Sequence, residues 1–440
     1  MSLTPDNGRV SDRHARRWFA VWFFIAAFMG LLLVYKGKLN GPPIRSDGEG
    51  YYMYLPALLI DDDLTLTTLA ERRFNGHIPL WTGAIKLAEA PGYVIKYPAG
   101  EALLLAPFFA LGAALAAVQS LPVDGYSRPF QYCAALAGPV YGTVGLMMLW
   151  DVLRRRFSIT VTATSLGVVV FGTNLYHYST YDSVFSHVFS FFLVCALLRS
   201  TEKLYASPST STFTMTGVIM GLLVLVRPTN ALWMLMPLAY GWSSGSAVIV
   251  RLQLWWKHSG QIAVALVAGA AIVAIQLSYW KAATGDWWIN AYALNNEFFD
   301  FSNPQLANVL FSVRKGLFFW SPLWLVGLLG VWALRRHAPE YFWPIALFLP
   351  LSTWVIASWH CWWYGGSFGS RPYVEATPLL CICMASLMSL ARRRGAVVIL
   401  TGTFAASVFW SVWMMSKYWR GVLPMEHPTA DIILQLLQSP

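Results

Sequence analysis

The sequence predicts an all-α polytopic membrane protein, and three observations carry that prediction. Of 440 residues, 57% are hydrophobic and only 12% charged, against roughly half and a quarter in ordinary soluble domains. The apolar residues fall into runs close to the ~20 residues that a helix needs to cross the hydrocarbon core. The 22 Trp, 20 Tyr and 26 Phe supply the aromatic belts that anchor such helices at both interfaces. These figures exclude a soluble domain, a disordered chain and an all-β porin. Cys133, Cys195, Cys361, Cys381 and Cys383 are odd in number and mostly sit in or beside apolar segments, so no disulfide framework is expected. The net charge of +10 is assigned to cytoplasmic loops and anionic head groups, and nucleic acid is set aside as a partner.

Taken in order, residues 1–17 form a basic tail predicted to be cytoplasmic, with Arg9, Arg13, Arg16 and Arg17. Trp18 to Tyr35 is too long for a signal-peptide core and lacks Ala-x-Ala cleavage residues, so it is read as a retained first helix. The later basic clusters are Arg154-Arg155-Arg156, Arg199 with Lys203, Arg251 with Lys257, Arg335-Arg336 and Arg392-Arg393-Arg394. Placing each in the cytoplasm requires two crossings between neighbours. Spans satisfying this rule are Phe130 to Trp150, Ile159 to Tyr176, Val184 to Leu198, Phe213 to Val226, Thr229 to Trp242, Gln261 to Lys281, Phe318 to Leu334, Phe342 to Ala357, Val374 to Leu390 and Ala396 to Met415. With the first helix that makes about 11, and the carboxyl terminus lies outside. Gly100 to Val118 breaks the alternation and is read as a juxtamembrane or re-entrant helix, shallow or broken at Pro98, Pro107 and Gly112. The predicted organisation is thus a tail (1–17), a transmembrane domain (18–415) with a long outer loop over 37–128, and a short outer tail (416–440). Of the 21 acidic residues, Asp6, Asp12, Asp151, Glu202 and Glu340 fall inside and the rest outside, so the outer face holds the chemistry.

The outer loop opens with Arg45-Ser46-Asp47-Gly48-Glu49-Gly50-Tyr51-Tyr52-Met53-Tyr54-Leu55-Pro56. A carboxylate at the membrane boundary is partly desolvated, which raises its basicity toward an attacking hydroxyl; a solvated turn with Gly supplying the bend is the alternative. Asp61-Asp62-Asp63 reads as an exposed turn or helix start. Lys96, in Lys96-Tyr97-Pro98, is placed to hold a lipid phosphate or to snorkel at the interface. In the second outer loop Asp182 and Ser186 are four apart with His187 one step on, so an Asp and a His face one vestibule. Arg227-Pro228-Thr229 puts an Arg between short apolar runs, where it needs an anionic partner. Arg314 and Lys315 lie on the outer side, against the usual charge bias. From Ser358 to Tyr373, aromatics and glycines precede Arg371, a composition suited to stacking on sugar faces and equally to an interfacial belt.

In their order along residues 18–375, Asp47-Gly-Glu49 with Tyr-Tyr-x-Tyr-Leu-Pro, Lys96-Tyr-Pro, Tyr181-Asp182-Ser183, Arg227-Pro228-Thr229 and the Trp359 to Arg371 stretch resemble the GT-C superfamily of membrane glycosyltransferases that use polyprenyl-phosphate sugars. The nearest branch is similar to the protein O-mannosyltransferases and the lipid A aminoarabinose transferase. The resemblance implies a GT-C-like fold and an enzyme of the bacterial inner membrane with its catalytic face outside. It implies Asp47 as general base or as the group that orients the acceptor, Asp182 as supporting acid, with Lys96, Arg227 and either Arg314 or Lys315 near the donor phosphate. Glu49 stands where the protein mannosyltransferases have an acid adjacent to the first, and here Gly48 intervenes. Tyr51, Tyr97, His187, Trp359, His360 and Arg371 are assigned to substrate binding.

The expected reaction is a single inverting displacement in which basic residues stabilise the departing phosphate without a metal. Mg²⁺ or Mn²⁺ held by Asp47, Glu49 and Asp182 is the open alternative. Expected partners are a polyprenyl-phosphate-linked sugar, a glycan, lipid or protein acceptor, and membrane lipids. Rival functions are a transporter or flippase for a lipid-linked or anionic solute, and a glycan polymerase or ligase.

Overall fold

A computed structural model describes residues 5–36, 41–88 and 92–438; the start of the predicted tail (1–4) and the last two residues (439–440) lie outside the described residues. The chain is predominantly helical. Its helices are α1 (Pro5–Lys36), α2 (Asp47–Tyr52), α3 (Tyr54–Leu59), α4 (Thr67–Phe74), α5 (Gly100–Val118), α6 (Arg128–Arg154), α7 (Ile159–Gly172), α8 (Leu175–Tyr178), α9 (Ser186–Ala206) and α10 (Thr210–Val226). They continue as α11 (Leu235–Ala239), α12 (Gly245–Lys257), α13 (Ser259–Thr284), α14 (Leu306–Phe311), α15 (Leu317–Trp320), α16 (Leu323–His337), α17 (Phe342–Ala357), α18 (Thr377–Leu390), α19 (Arg394–Trp419) and α20 (Ala430–Gln438).

Six stretches among the described residues are long and apolar enough to cross a membrane: Ser11–Tyr35, Gly100–Val118, Arg128–Arg154, Ser259–Thr284, Pro339–Ala357 and Arg394–Trp419. Five of them coincide with predicted spans. The predicted Thr229 to Trp242 span is instead a 3₁₀ turn (Pro228–Met234) followed by the five-residue α11. Pro228 has no N–H to continue α10, and Asn230 turns back to donate to the Leu223 carbonyl (3.0 Å), which caps that helix. The helices at 159–172, 210–226 and 377–390 are apolar but shorter; at about 1.5 Å per residue the 14-residue ones reach ~21 Å.

The sixth stretch, α5, corrects one expectation and bears on another. It is unbroken and runs through Pro107. Leu104 O accepts from Tyr141 Oη (2.8 Å) and the Phe109 ring meets Phe130 at 4.9 Å. α5 therefore runs antiparallel to the first half of α6 alone, and its amino end is level with the middle of that helix. A second departure from an all-α reading is a small antiparallel hairpin in the outer loop, β1 (Ala84–Lys86) with β2 (Tyr93–Ile95), in register Ile85 to Val94. Asp63 caps the turn before α4, accepting from the Thr65 and Thr68 amides (2.9 and 2.8 Å), as its acidic run predicted.

Charge organises the two ends of the bundle. Asp12, Asp151, Glu202 and Glu340, all predicted inside, gather with the predicted cytoplasmic arginines: Arg154–Asp12 at 2.6 Å, Arg16–Asp151 at 3.2 Å, Arg199–Asp151 at 2.9 Å and Arg156–Glu202 at 2.6 Å. Arg155 and the Tyr341 hydroxyl also bind Glu202 (3.0 and 2.8 Å). Replacing Glu202 by Ala is expected to take one partner from half-exposed Arg155 and one from Arg156, which keeps Glu340, and to lower stability by about 1–3 kcal/mol. Thermal unfolding in detergent measures this, and ligand affinity at the opposite end should not change. Between the ends, Gly217 and Gly221 of α10 let the helix backbone lie against Ala265 and Gly269 of α13, where any Cβ would collide with a carbonyl.

Candidate active site

The end opposite that arginine cluster is built by α2, the β-hairpin, and the loops at 179–186, 227–230, 285–322 and 358–376. Asp47 opens α2. Its Oδ2 accepts from Arg371 (2.6 Å) and its Oδ1 from the Tyr97 hydroxyl (2.9 Å). Burial works against ionisation of Asp47, but Arg371, Tyr97 and Lys96 together outweigh it and hold the carboxyl below its ordinary range. Tyr51, one turn on, stacks on Tyr97 at 4.6 Å. The close fit depends on Gly50, because a Cβ there would strike Tyr97 and the Thr82 carbonyl.

Ser46 separates two arms. Its φ of 48° is unusual for a residue with a side chain. On one side of it Asp47 reaches Arg371; on the other Arg45 binds Asp182 Oδ1 (3.1 Å). Asp182 Oδ2 in turn meets His177 Nε2 (2.9 Å), and His177 Nδ1 faces the Trp419 indole N–H (2.9 Å). An indole can only donate, so Nδ1 accepts and the His177 proton resides on Nε2, donated to Asp182. Burial lowers the His177 pKa, consistent with that neutral ring. Asp182 is opposed by burial, yet His177 and Arg45 draw it down to about 2.

A second buried group lies nearby. Arg227 donates to Glu375 Oε1 (3.0 Å), and His187 Nδ1 lies 3.1 Å from the same oxygen. A narrow cleft opens beside it, lined by Arg227, Asn230, Trp233, Phe348, Tyr364 and Glu375 among others. The Tyr178 ring meets both His177 (4.8 Å) and His187 (4.9 Å), so the two groups adjoin in one vestibule. Lys96 is paired with Glu297 (2.6 Å), with its ammonium 5.1 Å from the Tyr97 ring. Tyr292 connects Tyr97 (6.5 Å) to Trp359 (5.8 Å), which places Trp359 at the rim.

Asp47, Lys96, Arg227, Arg371, Tyr51, Tyr97 and His187 are thus brought together, and four expectations change. Glu49 is turned away: residues two apart on a helix face opposite sides, and Glu49 meets Arg73 through two hydrogen bonds of 3.2 Å. Burial raises its pKa despite that pairing. Asp182 and His187 face one vestibule as expected but take separate partners in it, because α9 begins only at Ser186 and helical spacing does not apply before it. Consequently Asp47, Glu49 and Asp182 each answer a different arginine and do not converge on a point where they could hold one cation. Among the described residues no group of three His, Cys, Asp or Glu side chains is placed to do so. His360 is exposed and accepts from the Phe298 amide (3.3 Å).

Arg314 and Lys315 are the fourth change. Arg314 lies over Trp363 (3.6 Å) and donates to Glu426 O (2.9 Å); Lys315 donates to the Ser367 and Met425 carbonyls. Both clamp the segment after α19, so the predicted short tail is part of the site's wall. Burial, with Arg371 and Arg314 nearby, lowers Lys315 from 10.5 to about 7. Between those values the unfolded chain holds a proton that the folded one has shed, so this group makes stability rise with pH. The difference in melting temperature between wild type and Lys315→Met is expected to move in the wild type's favour from pH 7 to about 10; a constant difference would show that Lys315 keeps its proton.

Sequence reasoning missed Glu375 and Glu101. Each heads an apolar run, and a carboxylate at such a boundary was the available signal.

No family model matches the chain, and no curated protein matches it in sequence. Two solved structures of similar shape are archaeal oligosaccharyltransferases from Archaeoglobus fulgidus. One, in complex with Zn and sulfate, has 12% identity and a TM-score of 0.42 over 77% of this chain and 46% of that one. The other, AglB in complex with an inhibitory peptide and a dolichol-phosphate, has 10% identity and a TM-score of 0.47 over 96% and 58%. This chain spans about half the length of those proteins.

Proposed function

We propose that this chain is an inverting GT-C-type glycosyltransferase that moves a sugar from a polyprenyl-phosphate donor to an acceptor hydroxyl on the outer face of a bacterial inner membrane. The observation that carries this reading is the Asp47–Arg371 pair, joined across 324 residues at 2.6 Å, in a vestibule that also holds Arg227 and Lys96 at the end of the bundle away from the arginine clusters. Asp47 takes the proton of the acceptor oxygen as that oxygen attacks the anomeric carbon. The bond from that carbon to the phosphate oxygen breaks, and the electron pair leaves with the lipid phosphate. Arg227 and Lys96 lie where cations can stabilise that developing charge. Because Arg371 neutralises Asp47 at rest, an arriving phosphate competes for the guanidinium and returns basicity to the carboxylate. Asp182, held by Arg45 and His177, fixes the segment from which Asp47 projects.

The deciding experiment supplies purified protein in lipid nanodiscs with labelled polyprenyl-phosphate sugars and acceptors from the envelope. One sugar added with inverted anomeric configuration is the expected product. Translocation of the lipid without a glycosidic product, or a ladder of products, would replace the proposal with a flippase or a polymerase. Mass spectrometry of envelope glycans and lipids from a deletion strain identifies the acceptor.

A further inference from the structure

Among the buried polar atoms with no hydrogen-bond partner within the described residues, four belong to side chains grouped with Asp47 and Arg227, namely both carboxyl oxygens of Glu101, Glu375 Oε2 and Arg371 Nε, while Tyr181 Oη and Ser183 Oγ lie on the Asp182 side. Glu101 is the extreme case. It sits on the first turn of α5 with no exposed surface, within charge range of Asp47, Arg227 and Tyr51. Its position is fixed, because Gly100 packs directly on the backbone of Leu225 and Val226 at the end of α10. Glu49 and Glu202, equally buried, are answered by arginines. A buried carboxyl with no partner weakens the fold, and an apolar residue of similar size would not. A donor from outside the chain, a bound water or a ligand, is what satisfies Glu101. The four atoms describe its chemistry: three are carboxyl oxygens, which want donors, and one is an N–H, which wants an acceptor oxygen.

We infer that Glu101 and Glu375 Oε2, both near Arg227, form a subsite that accepts hydrogen bonds from hydroxyl groups of the transferred sugar, with Arg371 Nε donating to one of its oxygens. Glu101 thereby determines which sugar is taken. The inference rests on the glycosyl-transfer reading above and goes beyond it by assigning the group that recognises the sugar rather than the phosphate or the acceptor.

The test compares binding of a polyprenyl-phosphate hexose with binding of bare polyprenyl phosphate, in wild type, Glu101→Leu and Glu101→Gln, together with melting temperatures. Hydrogen bonds to a neutral group of the strength usual in proteins correspond to about 2- to 10-fold in affinity. The wild type is expected to prefer the sugar-bearing lipid by about that factor, and Glu101→Leu to erase the preference while binding the bare lipid unchanged and melting no lower. Glu101→Gln, which keeps one acceptor oxygen, retains part of the preference. An undiminished preference in Glu101→Leu overturns the inference and leaves glycosyl transfer standing. So does a lower melting temperature with loss of both lipids, the mark of a structural role. If the wild type binds neither lipid, the glycosyl-transfer reading falls and this inference with it.

Discussion

Asp47→Asn is expected to lower turnover by about 10²- to 10⁴-fold, the range usual for removing a general base, while polyprenyl-phosphate sugar still binds. Asparagine has the shape of aspartate; its oxygen still accepts from Arg371 while its amide N–H donates to the Tyr97 hydroxyl oxygen, so α2 stays in place. It lacks the basic lone pair and the charge. The loss therefore falls on kcat with KM little changed. The pH profile offers an independent check. Arg371, Tyr97 and Lys96 hold the Asp47 carboxyl below its ordinary value of 3.8. A group whose folded pKa is depressed is ionised above that pKa, so wild-type kcat/KM should stay flat as pH falls toward 4 and decline only below it. Full activity in Asp47→Asn would remove this residue from the chemistry.

How much of this site was legible in the sequence depends on the range of the interactions. The charge bias is a one-dimensional signal, and Asp12, Asp151, Glu202 and Glu340 do assemble with the arginines assigned to the same side. Asp47 was only half legible, because Asp-Gly-Glu in the loop after the first helix reads equally as a solvated turn. Glu49 was misread because the pattern was taken as a pair, whereas α2 is helical and sends positions two apart to opposite faces. Glu375 was hidden by its partners: His187 and Arg227 lie 188 and 148 residues away, and no local spacing encodes that meeting. Three-residue strands such as β1 and β2 are too short to show a period of two. The 3₁₀ turn after Arg227 was hidden by composition, since Ala-Leu-Trp-Met-Leu-Met reads as apolar whatever its winding.

Arg371 supplies the second large effect, and it separates holding the fold from doing the chemistry. Arg371→Met leaves Asp47 in a mostly buried position with only Tyr97 as a direct partner, and the expected loss of stability is about 3–5 kcal/mol, as for other broken buried pairs. In the double variant Arg371→Met/Asp47→Asn no charge is left uncompensated, so most of that loss should return. Turnover should not return, because the base is gone as well. Stability and activity thus move in opposite directions along the same cycle, and the coupling term isolates the pair from its surroundings. Arg371→Lys sharpens the reading: a lysine restores the charge but not the planar fork that reaches Asp47 through one N–H while presenting Nε elsewhere. Near-wild-type stability with poor turnover in that variant would mean that the orientation of Asp47, rather than its neutralisation, is what Arg371 provides. Additive losses in the double variant would mean that the two side chains act apart, and the vestibule would have to be rebuilt around Arg227 and Glu375 alone.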